Sequence, residues 1–294
     1  MSSRDASEPH LRKARGHLTK LPAPVDEELE SLLDIVRQAA AVVMRHYASG
    51  AVAVELKGPG DPMTAADREA NGLICGLLEQ RFPDCAILAE ESVPDDPAEM
   101  ARRARSERVF YVDPLDGTRE FAEHRPEFAV MLGLAVRGRA ALGVMALPVE
   151  GIFLAGRVGE HAFCEHPGGA RELVSVSPAT ELAQARVVVS RSRPPKALAA
   201  IMAKLGRGTV LHRGSVGVKV GLLAQAKADL YLHLGTGLKA WDYCAPEAVL
   251  AAAGGELTDL GGRPLEYRAT ELRIERGLLA SNGRLHAQAL AALG

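Results

Sequence analysis

The segment Val109-Phe-Tyr-Val-Asp113-Pro-Leu-Asp116-Gly-Thr118-Arg-Glu-Phe121 decides how the rest of the chain is read. Its first four residues are apolar and β-prone, and they predict a strand that delivers Asp113 to its C-terminal end. Pro114 has no N–H to give a ladder bond, so strand pairing is expected to stop there. Asp116 returns to the same vicinity, and Gly117 lets the backbone approach a ligand closely. Two carboxylates held so near each other repel, and a cation is the usual remedy. Hard oxygen donors at a turn favour Mg²⁺, which takes carboxylates together with waters and phosphate oxygens. The N–H groups around Gly117 and Thr118 would suit an anion at the same spot. A solvated Asp-Gly turn after a strand fits the same residues.

Moving outward, the apolar run Ala86–Ala89 ends in Glu90-Glu91, a second acid pair at a strand end. Thr64-Ala-Ala-Asp67 opens a helix, where T-x-x-D is also a capping box. Trp241-Asp242 precedes a predicted helix Tyr243–Ala253, and Asp242 would serve there as a cap. Each acid taken singly has a structural explanation. Taken together, five or six acids at strand ends and helix starts would be coincidence in a purely structural account. A covalent aspartyl-phosphate mechanism of the haloacid-dehalogenase type does not fit. It needs D-x-D, and two residues separate Asp113 from Asp116.

Apolar spacing predicts a first helix from near Asp26, then a break at Gly58-Pro-Gly60-Asp-Pro62 and a second helix from Thr64 to Pro83. A polar stretch, Pro94–Glu107, follows. Short β-type runs from Phe128 to Cys164 read as an antiparallel meander. Beyond Gly169, predicted strands at Arg186–Ser190, Thr209–Leu211, Leu230–Leu232 and Leu278–Ser281 alternate with helices at Pro195–Leu205, Val216–Lys227 and Tyr243–Ala253, and a last helix closes the chain. The fold class is therefore α/β. The expected units are a flexible extension (1–24), an α+β half with an antiparallel sheet that carries the metal site (25–168), and an α/β half that binds substrate (169–294).

With 294 residues, 35 basic and 37 acidic side chains and 47% hydrophobic residues, the chain has ordinary globular composition and a formal charge of −2. That balance gives no long-range pull toward nucleic acid or membrane, so an anionic substrate needs local positive charge. The longest apolar run, Phe128–Val136, falls well short of the roughly 18 residues of a membrane helix. Four scattered cysteines without C-x-x-C spacing, and an N-terminus without a signal-peptide core, imply reduced thiols and a cytoplasmic protein.

The ordered set D-x-x-T-x-A-D (Asp61–Asp67), A-E-E-S (Ala89–Ser92), V-D-P-L-D-G-T (Val112–Thr118) and W-D (Trp241-Asp242) followed by A-G-G (Ala253–Gly255) resembles the inositol monophosphatase superfamily. These are Mg²⁺-dependent, lithium-sensitive phosphatases of small phosphomonoesters, and the likeness runs from about residue 30 to 285. It implies a layered α-β-α-β-α fold and two or three Mg²⁺ ions. Their ligands would be Glu90, Asp113, Asp116, Asp242 and the Leu115 carbonyl. Thr118 with Asp67 would orient the attacking water, with Glu90 in the catalytic set, while Gly117 and Thr118 join Leu115, Asp116 and Asp242 around the substrate. None of these acids is missing, which argues against a catalytically silent binding protein.

The Arg119-Glu-Phe121 continuation resembles the 3'(2'),5'-bisphosphate nucleotidases, which convert 3'-phosphoadenosine 5'-phosphate to AMP in sulfur assimilation. Val189-Ser-Arg-Ser-Arg-Pro194 is similar to their nucleoside-pocket strand end and implies roles for Ser190 and Arg191. Gly214-Ser-Val-Gly-Val-Lys219 implies Ser215 and Lys219, with Lys219, Arg191 and Arg193 available to a second phosphate. The alternative on the same site is an inositol-1-phosphate or fructose-1,6-bisphosphate phosphatase. Either way the partner is a small phosphorylated metabolite, a bisphosphorylated nucleoside in the first reading. No nucleic acid or membrane is expected, and family habit allows a homodimer. One departure is Trp241-Asp-Tyr-Cys-Ala-Pro246 in place of the family's W-D-x-A-A-G, with Pro246 expected in the first turn of a helix.

Overall fold

The computed structural model describes residues 26–50, 54–58, 61–191, 195–206, 208–268 and 272–294. The extension 1–24 and Arg193 lie outside the described residues. Asp26 caps the first helix, α1 (Glu27–Ser49), by accepting the Glu28 N–H at 3.1 Å. A two-stranded hairpin follows, β1 (Val54–Gly58) with β2 (Asp61–Thr64), where only a chain break was expected. It leads straight into α2 (Ala65–Arg81).

The large sheet has seven strands in chain order, β3 (Ala86–Ala89), β4 (Arg108–Asp116), β5 (Ala129–Val136), β6 (Arg139–Leu147), β7 (Ile152–Arg157), β8 (Ala162–Glu165) and β9 (Arg171–Val174). Only β3 and β4 are parallel; the rest is the expected antiparallel meander. The polar stretch between β3 and β4 contains a helix, α3 (Pro97–Ala104), started by Asp96 as cap and by Pro97, whose absent N–H costs nothing in a first turn. The short helix α4 (Thr118–Ala122) follows β4.

β4 does not end at Pro114. Asp113 pairs with Met131 and Asp116 with Ala129, so β4 spends one more residue than β5 between the two pairs. The extra residue makes a bulge, and Pro114 sits in it, where no ladder N–H is required. Pairing resumes at Asp116, which fixes both carboxylates on one strand end.

The smaller sheet has the order β11-β10-β12-β14-β13, from β10 (Val187–Ser190), β11 (Val210–Arg213), β12 (Leu230–His233), β13 (Glu256–Asp259) and β14 (Leu278–Ser281). β10 is parallel to β11 and β12, while β14 is antiparallel to β12 and β13. Its helices are α5 (Pro195–Leu205), α6 (Val216–Ala224), α7 (Ala240–Ala252) and α8 (His286–Leu293).

Period-two alternation sorts the core into layers. Phe110, Val112, Leu132 and Val144 face α1 and α2, whereas Tyr111, Met131 and Met145 pack with residues of α6 and α7. In the smaller sheet Val188, Tyr231 and Ala280 share that middle layer, while Val187, Val189, Leu232 and Leu279 pack on the far side with Ile201 and Leu205 of α5 and Ala289 of α8. The order is helix, sheet, helix, sheet, helix. The boundary expected at residue 168 falls between β8 and β9, and α6 and α7 serve both sheets. Among the described residues, no helix is long and apolar enough to cross a membrane.

Candidate active site

β3 and β4 run in parallel with Ala89 opposite Val112, so Glu90 and Asp113 are the next residues at the same sheet end. Glu90 opens a single 3₁₀ turn, Glu90–Ser92. The first turns of α2, α4, α6 and α7 add Asp67, Thr118, the Ser215 cap and Asp242. Acids far apart in sequence are thus carried on the ends of neighbouring elements.

Asp113 is 1% exposed, and its Oδ1 accepts the Leu115 N–H at 3.1 Å. Burial, then the charges of Glu90, Asp116 and Asp242, hold its carboxyl well above the usual carboxylate range. Asp242 is raised likewise by burial and by Glu90 and Asp116, against a weaker pull from Lys239. It does not precede its helix. α7 begins at Ala240 with Lys239 as the cap, and Asp242 Oδ2 accepts the Lys239 N–H at 2.7 Å from the third helical position. Pro246 correspondingly lies in the helix interior, not its first turn. It withholds the N–H that would otherwise meet the Asp242 carbonyl.

Asp116 Oδ2 accepts the Ser215 hydroxyl at 2.5 Å and the Gly217 N–H at 2.7 Å. Ser215 holds this post at φ 51°, a left-handed conformation rare for serine, while its Oγ also accepts the Val218 N–H at 3.1 Å. Its hydroxyl is thus committed to Asp116. Asp67 is 1% exposed and accepts from the Thr64 N–H and hydroxyl at 2.8 and 2.5 Å, which confirms the capping box. Its other oxygen lies 3.1 Å from Thr118 Oγ1, which is also 3.0 Å from the Leu115 carbonyl. Burial outweighs these bonds and raises the Asp67 carboxyl. The cap and the site-facing role coexist in one side chain. Gly117, at φ 98°, is required as glycine, because a Cβ there would sit 3.0 Å from the Glu127 carbonyl.

The donors are of the kind a hard divalent cation takes: carboxylates and the Leu115 carbonyl, buried or half-buried, with a mutual repulsion that calls for positive charge. Among the described residues, no three Asp, Glu, His or Cys side chains form a closed metal cage. The four carboxylates share an electrostatic neighbourhood in which Asp116 and Asp242 each have one oxygen bound to protein donors.

Beside this cluster lies a cavity of about 730 Å³ lined by Asp116, Gly117, Thr118, Ser190, Arg191, Ser215 and Lys219, all named from the sequence. Asp67, Glu90, Asp113, Leu115 and Asp242 are not among its lining residues. Lys219 is 3% exposed, with Nζ 3.2 Å from the Gly214 carbonyl and 5.2 Å from the Tyr231 ring centre. Arg191 grips Glu127 through two nitrogens. Glu127 also accepts the Gly214 N–H at 2.9 Å and lies 3.9 Å from Arg213. Burial pushes the Glu127 carboxyl up, but Arg191, the Gly214 N–H and Arg213 bring it below its ordinary value. Sequence reading missed Glu120, Glu127, Arg213 and Tyr231. Glu120 alone had a local signal, its place two residues after Thr118; the others meet only through long-range packing.

The chain matches the model of the inositol monophosphatase family over residues 25–294. It is 34% identical over 254 residues to the 3'(2'),5'-bisphosphate nucleotidase CysQ of Shigella flexneri, covering 86% of this chain and 99% of the relative. It is 30% identical over 269 residues to the human 3'(2'),5'-bisphosphate nucleotidase 1, covering 81% and 84%. The crystal structure of CysQ from Bacteroides thetaiotaomicron superposes with a TM-score of 0.72 at 26% identity, covering 87% of this chain and 97% of that one. The fold, the family match and the named relatives agree: the chain belongs to the inositol monophosphatase family and is a phosphatase of it.

Proposed function

We propose that the protein is a Mg²⁺-dependent 3'(2'),5'-bisphosphate nucleotidase that removes the 3'-phosphate of 3'-phosphoadenosine 5'-phosphate. The observation that carries this reading is Lys219, a buried ammonium on the wall of a cavity that also presents Asp116 and Thr118. A substrate with two phosphates needs a cation apart from the metal site, and Lys219 supplies one at fixed position. Relatives named for this activity support the choice.

Glu90, Asp113, Asp116, Asp242 and the Leu115 carbonyl would hold the metal. When bound, the metal supplies positive charge to the phosphate oxygens and activates water. Thr118 Oγ1 has one proton to donate and two acceptors near 3 Å, Asp67 Oδ1 and the Leu115 carbonyl. With the hydroxyl proton turned to Asp67, a Thr118 lone pair faces the cavity and accepts from the attacking water. Asp67, raised by burial, is the base to which a proton passes through that hydroxyl. The free thiols of Cys75, Cys85, Cys164 and Cys244 suit a reducing cytoplasmic setting.

Phosphate release from 3'-phosphoadenosine 5'-phosphate, myo-inositol 1-phosphate and fructose 1,6-bisphosphate, with Mg²⁺ and then with added chelator or Li⁺, tests the reading. The nucleotide should be preferred and the activity lost on chelation. Lys219→Ala should raise KM about tenfold for the nucleotide and leave a monophosphorylated sugar unaffected. Preference for inositol phosphate, or an equal effect on both substrates, would overturn it.

A further inference from the structure

A cavity that takes a polyanion should avoid carboxylates, yet Glu120 lines it beside Asp116, Thr118, Ser190, Lys219 and Tyr231. The other acids on its wall are engaged, Asp116 by Ser215 and Gly217 and Glu123 by Arg125. Glu120 is half-buried, and among the described residues the hydrogen bond acting on its carboxylate comes from its own backbone N–H. Lys219 acts on it through its charge. Among the described residues no other donor reaches its oxygens, which leaves them as acceptors for a ligand.

The carboxyl is also held in place. A methyl group on Gly214 would come within 2.5 Å of Glu120 Cγ and Cδ and 2.7 Å of Oε1. Gly214 is itself tied down, its N–H to Glu127 at 2.9 Å and its carbonyl to Lys219 at 3.2 Å. Glu120 meanwhile sits in the five-residue α4, one half-turn beyond Thr118. A carboxylate repels phosphate, so a phosphorylated ligand must turn a neutral hydrogen-bond donor toward it. Glu120 shares its cavity wall with Thr118 and Asp116, which the nucleotidase reading puts at the scissile ester, and a donor on the neighbouring carbon meets that need.

We infer that Glu120 is a specificity-determining residue that accepts a hydrogen bond from the substrate hydroxyl vicinal to the scissile phosphate, the 2'-hydroxyl of a 3'-phosphorylated ribose. This deepens the nucleotidase reading and rests on it. The cavity thereby combines a cation for the second phosphate with an acceptor for the sugar.

The test compares kcat/KM for 3'-phosphoadenosine 5'-phosphate and its 2'-deoxy counterpart in wild type, Glu120→Gln and Glu120→Ala, with melting temperatures to confirm folding. Wild type should favour the ribonucleotide by about tenfold or more, since an unmet buried acceptor is costly. Glu120→Ala should bring the ratio near one. Glu120→Gln, which keeps an acceptor oxygen and the shape, should fall between and guards against a folding defect. Equal use of both nucleotides by wild type, or a ratio that survives in Glu120→Ala, overturns the inference. If wild type hydrolyses neither nucleotide, the nucleotidase reading fails separately. The same ratio is then taken between myo-inositol 1-phosphate, which has vicinal hydroxyls, and 4-nitrophenyl phosphate, which has none. A ratio unchanged by Glu120→Ala would again overturn the role of Glu120.

Discussion

Asp113 and Asp229 are almost equally buried, at 1% and 2% exposure, and their carboxyls shift in opposite directions. Asp229, beside β12 in the smaller sheet, meets two Arg186 nitrogens at 2.6 and 2.9 Å, the Arg186 N–H at 2.7 Å and the Ser177 hydroxyl at 2.5 Å. Burial pushes it up, but these partners carry it below its ordinary value. Asp113, in the large sheet, has the Leu115 N–H and is otherwise surrounded by other acids. Burial alone does not distinguish a structural carboxylate from a functional one. The distinction is whether the chain supplies the opposing charge.

The largest expected effect falls on Asp113, the proposed metal ligand. Asp113→Asn should lower kcat by about 10⁴-fold, more than about 5 kcal/mol of barrier, while leaving the fold intact. It should also abolish any rise in melting temperature on adding Mg²⁺. Substantial residual turnover with an undiminished Mg²⁺ response would dissolve the contrast. Next comes Asp229→Asn, which should cost about 3 kcal/mol of stability in denaturant titrations. That is the low end for breaking a buried pair, because Arg186 keeps some contact with water. The Asp229 carboxyl is depressed from 3.8, so its contribution is complete above that pH and is lost as pH falls through the folded value. The variant should therefore show a flatter acid limb, and an unchanged limb would refute the assignment.

Glu247 on α7 sharpens the contrast as an intermediate case. Burial raises it to about 7 from 4.5, against Tyr267, whose hydroxyl donates to it, and the charge of Arg139. The folded protein takes up a proton between those values, so stability falls as pH rises from about 4.5 to 7. Glu247→Gln should remove that decline, gaining at most about 3 kcal/mol at pH 8 relative to pH 5. Denaturant midpoints for both proteins at the two pH values check it. Parallel shifts at both would place the titration elsewhere.

Much of this was legible in residue order. Strands β3, β4 and β10, the helices α1 and α2 and every acid of the cluster follow from apolar periodicity and its interruptions. The hairpin β1–β2, the helix α3 and the strand β13 were not visible, because their polar or short runs are held by neighbours rather than by local propensity. Pro114 misled for a specific reason. A proline forbids a ladder bond at one position, but a bulge can skip that position and resume. Trp241-Asp242 looked like a lead-in, since a lysine at 239 is not a usual cap and gave no sign that the helix starts at Ala240. The clasp of Glu127 on Arg191 joins residues 64 apart and has no local signature.

The position of α7 bears on how such an enzyme can diverge. This helix is covered by the large sheet on one side and the small sheet on the other, and Asp242 is borne on its first turn. Residues 119–120, 190–191 and 213–215, by contrast, occupy loops and element ends around the cavity. Descendants of one ancestor can exchange those rim positions, and with them the metabolite accepted, without repacking the helix that carries Asp242.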